Sequence, residues 1–218
     1  MKEQTTLSIL GDSYSTYKGW IPKDYEAWYA DSGTSEPNDV NSVEQTWWHM
    51  LCEEKNFKLL QNCSYSGSTV CNTGYVPILS ARISFIKRMV RELGPEQEQK
   101  ADVLIVFGAT NDFWAESPVG KIQYEDWTSS DLKKFAPAFC YMMHHLKKWN
   151  PDTVIYNVVN DDISGELKEI ITEVCEHYCI TNIELKDIEK ENGHPNRNGM
   201  RQIKEQIAEV IGNCSRQL

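Results

Sequence analysis

The chain has 218 residues, 40% of them hydrophobic and 25% charged, which is the composition of an ordinary folded protein and excludes extended disorder and fibrous repeats. A domain of this length buries about 70% of the surface its unfolded chain exposes, so no disulfide or metal staple is needed to hold a core. The formal net charge of -10, with no Lys/Arg stripe to offset it, repels polyanions and excludes nucleic acid as an expected partner.

In chain order, Met1 to Thr6 is polar and leads into a strand, with neither a signal-peptide apolar region nor a run long enough to span a bilayer. The expected location is the cytoplasm, with export only if an upstream signal was removed, and no membrane partner is expected. Thr6–Leu10, Phe57–Cys63, Val103–Phe107, Thr153–Val159 and Ile180–Leu185 are predicted strands. Val103–Phe107 lacks polar alternation, as expected for a central strand buried on both faces of a parallel sheet. Between the strands, apolar residues recur with helical period. Leu79, Ile83, Ile86 and Val90 form one stripe, and Phe135, Phe139, Met142, Leu146 and Trp149 form a second. Leu167, Ile170, Ile171, Val174 and Tyr178 follow, then Met200, Ile203, Ile207, Val210 and Ile211. Strands alternating with helices predict a three-layer α/β/α sandwich with a five-stranded parallel sheet, flavodoxin-like, spanning 1–218 as one domain, with its ligand site at the carboxyl ends of the strands.

Two long segments, Ser15–Gln45 and Phe113–Ser130, carry aromatic residues among Gly, Pro, Asp and Ser. Such rings either pin a loop to the surface or wall a pocket. The seven cysteines are irregularly spaced, without a C-x-x-C pair or His-rich companion, so no zinc or other metal is expected and a reducing compartment fits; no G-x-G-x-x-G or P-loop follows any strand, and no cofactor is expected. Cys175 and Cys179 are expected on one helix as small apolar residues, and a disulfide between Cys63 and Cys71 is left open.

The candidate chemistry sits where strands end. Gly11-Asp12-Ser13 follows the first strand, so the Ser13 hydroxyl is expected to face the crevice, although a turn or cap serine also fits. A serine needs a base to become a nucleophile. Of five histidines, His49, His144, His145 and His177 fall in helical segments, whereas His194 sits in the polar loop Glu191-Asn192-Gly193-His194-Pro195-Asn196 after the last strand. Ser64-Tyr65-Ser66-Gly67-Ser68 follows the second strand and Gly108-Ala109-Thr110-Asn111-Asp112 follows the central one, offering the Gly67 backbone NH and the Asn111 side-chain amide as uncharged donors.

Gly11-Asp12-Ser13, Gly67, Asn111-Asp112 and His194, in that order, resemble the four blocks of the SGNH (GDSL-type) hydrolases. The resemblance spans residues 11 to 196 and implies the same sandwich fold. It also implies Ser13 as nucleophile and His194 as base, with an oxyanion hole formed by the Ser13 NH, the Gly67 NH and the Asn111 side chain. Two departures stand out: Ala109 occupies a position usually glycine, and Glu191 stands three residues before His194 where the family has aspartate. Glu191 is the expected orienter of His194, with Asp187, Glu189 and a backbone carbonyl as alternatives. The expected activity is serine esterase hydrolysis through an acyl-enzyme, first of all deacetylation of a carbohydrate or other small ester, with Trp20, Trp47, Trp48, Trp114 and Trp127 as sugar-stacking candidates. The expected partner is a small-molecule or oligosaccharide ester; no oligomeric state is predicted. A lysophospholipase- or thioesterase-type hydrolase and a non-catalytic carbohydrate-binding α/β module are the alternatives.

Overall fold

A computed structural model describes residues 4–214. Five parallel strands, β1 (Thr6–Gly11), β2 (Lys58–Asn62), β3 (Val103–Gly108), β4 (Val154–Val159) and β5 (Thr181–Glu184), form one sheet in the order β2-β1-β3-β4-β5. All six residues of β3 are buried, because the strand pairs on both edges and is covered on both faces. Its side chains split by the two-residue pleat: Leu104 and Val106 face one core, while Val103, Ile105 and Phe107 face the other.

The first core is closed by α3 (Phe85–Leu93), α5 (Phe135–Trp149) and α6 (Gly165–His177), and the second by α1 (Trp47–Lys55) and α7 (Arg197–Cys214). Thr46 caps α1 by accepting the His49 amide at 3.4 Å, and Asn56 ends it in the left-handed conformation at φ 54°, which frees the chain to turn into β2. Trp47 and Trp48 are fully buried, so they are core residues and not sugar-stacking rings.

The expected stripe Leu79–Val90 is broken. Ser84 adopts ψ 154°, ending α2 (Pro77–Ile83) before α3 begins. The interruption resets the helical phase: Ile83, Ile86, Met89 and Leu93 point inward, while Leu79 and Val90 are exposed. Cys175 lies buried in α6, but the helix ends at His177 and Cys179 stands outside it, exposed, at φ 52°. The Ile180 amide returns to the Cys175 carbonyl at 2.8 Å, a closure that requires the left-handed turn. Cys63 and Cys71 are separate buried thiols. No helix among the described residues is long and apolar enough to cross a membrane.

The two aromatic segments behave differently. In 113–130, Tyr124 stacks on His177 at 3.8 Å and Trp127 packs among Tyr141, His144 and His145, so these rings fasten the segment to α5 and α6. In 15–45, Tyr17 and Tyr29 are buried and Trp28 lies against His194, so this segment is a strap over the sheet's carboxyl end.

Candidate active site

Ser13 begins a single 3-10 turn, Ser13–Ser15, directly after β1. Asp12 caps the turn by accepting the Tyr14 amide at 3.1 Å. Gly11 permits the tight approach: a Cβ there would stand 2.5 Å from Ser64 Oγ and 2.7 Å from the Ser15 side chain. Burial pushes the Asp12 carboxyl up to about 7, against the Tyr14 amide, which pulls the other way.

His194 arrives from a different construction. Lys190–Glu191 (β6) and His194–Pro195 (β7) form a two-residue antiparallel ribbon, turned through Asn192 at φ 50° and Gly193 at φ 74°. An Asn-Gly pair with both φ positive is the preferred tight hairpin turn. Tyr14 Oη donates to the Gly193 carbonyl at 2.7 Å and Tyr29 Oη to the Pro195 carbonyl at 2.8 Å. Asn192 Nδ2 donates to the Pro37 carbonyl at 2.8 Å, tying the ribbon to the strap from the outside. The two parts meet with His194 Nε2 3.0 Å from Ser13 Oγ.

His194 Nδ1 lies 3.2 Å from the Asn192 carbonyl oxygen. A carbonyl only accepts, so Nδ1 carries the proton and the Nε2 lone pair faces the serine hydroxyl, an assignment made from the hydrogen-bond network. This corrects the expectation for Glu191. Glu191 is exposed and pairs with His194 through the ribbon backbone; the ring's partner is the turn carbonyl two residues back, already held in place by the Asn-Gly turn. Asp187 is exposed, and Glu189 accepts from Asn196 and Asn198 instead, at 2.8 Å for the latter. Burial pulls the His194 imidazole from its ordinary 6.5 down to about 4, with the Asn192 carbonyl acting in the opposite direction.

The expected donors lie on the same rim. Gly67 has φ 74° and open space where a Cβ would stand. Neither its amide nor that of Ser13 has a backbone partner among the described residues. Asn111 Nδ2 gives one hydrogen to the Ser68 carbonyl at 3.1 Å, which leaves its second N–H. Asn111 lies in the first turn of the short helix α4 (Thr110–Trp114), and Asp112 beside it accepts the Val70 amide at 2.6 Å and the Cys71 amide at 3.2 Å, locking the Gly67 loop to the end of β3. Ala109, where the family has glycine, keeps the left-handed conformation at φ 72°. A Cβ in that region costs roughly 1–2 kcal/mol, so the backbone path is retained against side-chain preference.

Arg88 is a supporting residue that the sequence reading missed. Fully buried in α3, it donates to the Gly11 carbonyl at 3.0 Å, the Ile83 carbonyl at 2.8 Å, Ser68 Oγ at 2.8 Å and the Cys63 carbonyl. One guanidinium thus joins the ends of β1 and β2 to the Gly67 loop. Its signal was present in the sequence: an arginine on the inward face between Phe85, Ile86 and Met89. Among the described residues, no three His, Cys, Asp or Glu side chains are grouped as metal ligands would be.

A cavity of about 820 Å3, lined by Lys18, Tyr25, Glu26, Trp28 and Ser66 among others, opens beside this rim. Trp28 is shared between its wall and the stack on His194, and Ser66 precedes Gly67.

Comparison with known proteins bears on the family and the fold. A family model described as GDSL-like lipase/acylhydrolase matches residues 5–211. The crystal structure of a candidate GDSL-like lipase from Bacteroides ovatus ATCC 8483 is 42% identical with a TM-score of 0.91, covering 97% of this chain and 100% of that one. One from Bacteroides uniformis ATCC 8492 is 44% identical, also with a TM-score of 0.91, covering 97% of each. At 15% identity and a TM-score of 0.65, a family two carbohydrate esterase from Clostridium thermocellum in complex with cellohexaose shares the fold over 98% of this chain and 65% of its own. No curated protein sequence matches the chain.

Proposed function

This chain belongs to the GDSL-like lipase/acylhydrolase family of ester hydrolases, and on that premise we propose a serine esterase whose nucleophile is Ser13 and whose general base is His194. The observation that carries the reading is the 3.0 Å approach of Ser13 Oγ to His194 Nε2, with Nδ1 committed to a carbonyl. That tautomer leaves a lone pair aimed at the hydroxyl, as base catalysis requires.

The hydroxyl proton passes to Nε2 as Oγ bonds to the ester carbon and the carbonyl π pair moves onto oxygen. The Ser13 NH, the Gly67 NH and the second N–H of Asn111 receive that oxyanion, a set of uncharged donors held in place before reaction. Collapse of the intermediate breaks the bond to the alcohol, which leaves with the Nε2 proton. Water, deprotonated by the same nitrogen, then releases the acid from Ser13. The Asn192 carbonyl takes the orienting part that an aspartate plays in a triad.

For substrate, the reading is a small acyl ester of a carbohydrate. The cavity beside Ser66, whose wall mixes charged and hydroxyl groups with apolar side chains, and the rings of Trp20, Trp28 and Trp114 at or near the surface suit a hydroxyl-rich alcohol, and the fold is shared with an esterase whose structure is in complex with cellohexaose. A longer acyl chain is the second reading, favoured by exposed Tyr75, Val76 and Ile78 on the segment that follows the Gly67 loop. Hydrolysis of 4-nitrophenyl acetate is expected to fall at least about 1000-fold in Ser13→Ala. Equal rates in the two proteins refute the mechanism. Acetate release from acetylated xylo-oligosaccharides, against cleavage of esters with longer acyl chains, separates the two substrate readings.

A further inference from the structure

We infer that Trp28 is a positioning residue for proton transfer, its indole face balancing the positive charge that His194 acquires on taking the Ser13 proton; the inference rests on the serine-esterase reading above. In a triad that charge is met by a carboxylate. Here Nδ1 meets only the neutral Asn192 carbonyl, and Glu191 stands exposed. The indole instead lies parallel to the imidazole, with centroids 3.6 Å apart and planes 7° from one another. The face of an aromatic ring is its electron-rich side, and tryptophan attracts a cation most strongly of the ring-bearing residues.

Three other rings approach His194, all steeply inclined: Tyr14 at 5.4 Å and 63°, Trp114 at 6.2 Å and 71°, and Tyr29 at 6.5 Å and 78°. Trp28 alone among these presents a parallel face. Among the described residues its buried indole N–H has no hydrogen-bond partner, so the stack and the backbone hold the ring. The backbone is held well. Trp28 N donates to Thr16 Oγ1 at 2.8 Å, and Thr16 Oγ1 donates to the Ser13 carbonyl at 2.9 Å, so one hydroxyl links the strap to the nucleophile's own turn. On either side, Ser66 N donates to the Glu26 carbonyl at 3.0 Å and Lys18 N to the Tyr29 carbonyl at 2.9 Å. Burial makes the imidazolium costly at this position, pulling His194 below its ordinary 6.5, and a π face within contact distance offsets part of that cost.

The charge forms twice per turnover: once when the Ser13 proton moves to Nε2 as the Oγ–acyl bond forms, and again when water loses its proton there. Each time it disappears as Nε2 returns the proton to a departing oxygen. Weakening the π face therefore slows both halves alike, lowering kcat while leaving KM nearly unchanged. The test is site-specific replacement of Trp28 by mono-, di- and trifluorotryptophan, which withdraws ring electrons while preserving the packing surface. With 4-nitrophenyl acetate, kcat is expected to drop stepwise to about one-tenth at three fluorines, with KM within about two-fold. Trp28→Phe should fall between wild type and Trp28→Leu. A flat fluorine series, in a protein whose activity still depends on Ser13, overturns the part given to Trp28 and leaves the esterase reading standing. If Ser13→Ala hydrolyses the ester as fast as wild type, the esterase reading fails and takes this inference with it.

Discussion

β1 and the β6–β7 ribbon bring Ser13 and His194 to the same point by unlike means. β1 is hydrogen-bonded to β2 on one edge and β3 on the other, with buried side chains on both faces, so its carboxyl end is fixed by the sheet itself. The ribbon has two residues per strand and lies outside that sheet, too short to be stable alone. Its position comes from Tyr14, Tyr29 and Trp28, from the nucleophile's turn and the strap. The position of Ser13 is thus a property of the core, while that of His194 is a property of loop side chains gathered around a tight turn.

The largest break is expected on the sheet side. Arg88→Leu leaves the Cys63 and Ile83 carbonyls without their buried donor and the Gly11 carbonyl with the Tyr65 amide, and should cost about 3–5 kcal/mol in urea-melting experiments. It should also slow labelling of Ser13 by a fluorophosphonate, because the Gly67 loop loses the guanidinium tie to β1 and keeps the Tyr65 amide on the Gly11 carbonyl, at 3.1 Å. A loss below 1 kcal/mol would mean that the sheet holds these ends without the guanidinium.

On the ribbon side the sharper probe is pH. A base must be neutral to accept a proton, and a depressed pKa keeps His194 neutral to lower pH. The acid limb of kcat/KM should therefore lie near pH 4, where an ordinary imidazole would place it near 6.5. At pH 5, that ordinary group would be only about 3% neutral, so the difference is roughly 30-fold in rate. Histidine Cε1–H titration by NMR checks the direction directly; a midpoint near 6.5 would mean that the cost of burial is cancelled, by water at the ring or by the Trp28 face.

The smallest effect is expected at Glu191. Because the turn carbonyl orients the imidazole, Glu191→Ala should change kcat less than about two-fold, where loss of a triad aspartate costs about 10,000-fold. A large loss would restore the carboxylate to the site and weaken the contrast between the two constructions.

Much of this molecule was legible in its sequence. The uninterrupted apolar run of β3 and the stripes of α5 and α7 specify burial by period alone, and the Gly11-Asp12-Ser13 turn follows its strand directly. Other features escaped because they are decided by contacts between distant segments. Leu79 and Val90 fit a helical stripe in sequence, yet the break at Ser84 is held by a Ser84 hydroxyl bond to Asn72 at 2.7 Å and by the Phe85 amide on the Thr69 carbonyl at 2.9 Å. Neither the stack of Trp28 on His194 nor the reach of Arg88 to Gly11, 77 positions away, has a local pattern to announce it.

The sequence by itself determined the layers, the parallel sheet and the chain order of the residues around Ser13, because hydrophobic period and turn chemistry act over a few neighbouring residues. Tertiary structure alone decided what faces the imidazole of His194. A carboxylate three residues away and a carbonyl two residues away are both near in the chain, and only the turn at Asn192-Gly193, pinned from outside by Tyr14 and Tyr29, selects the carbonyl.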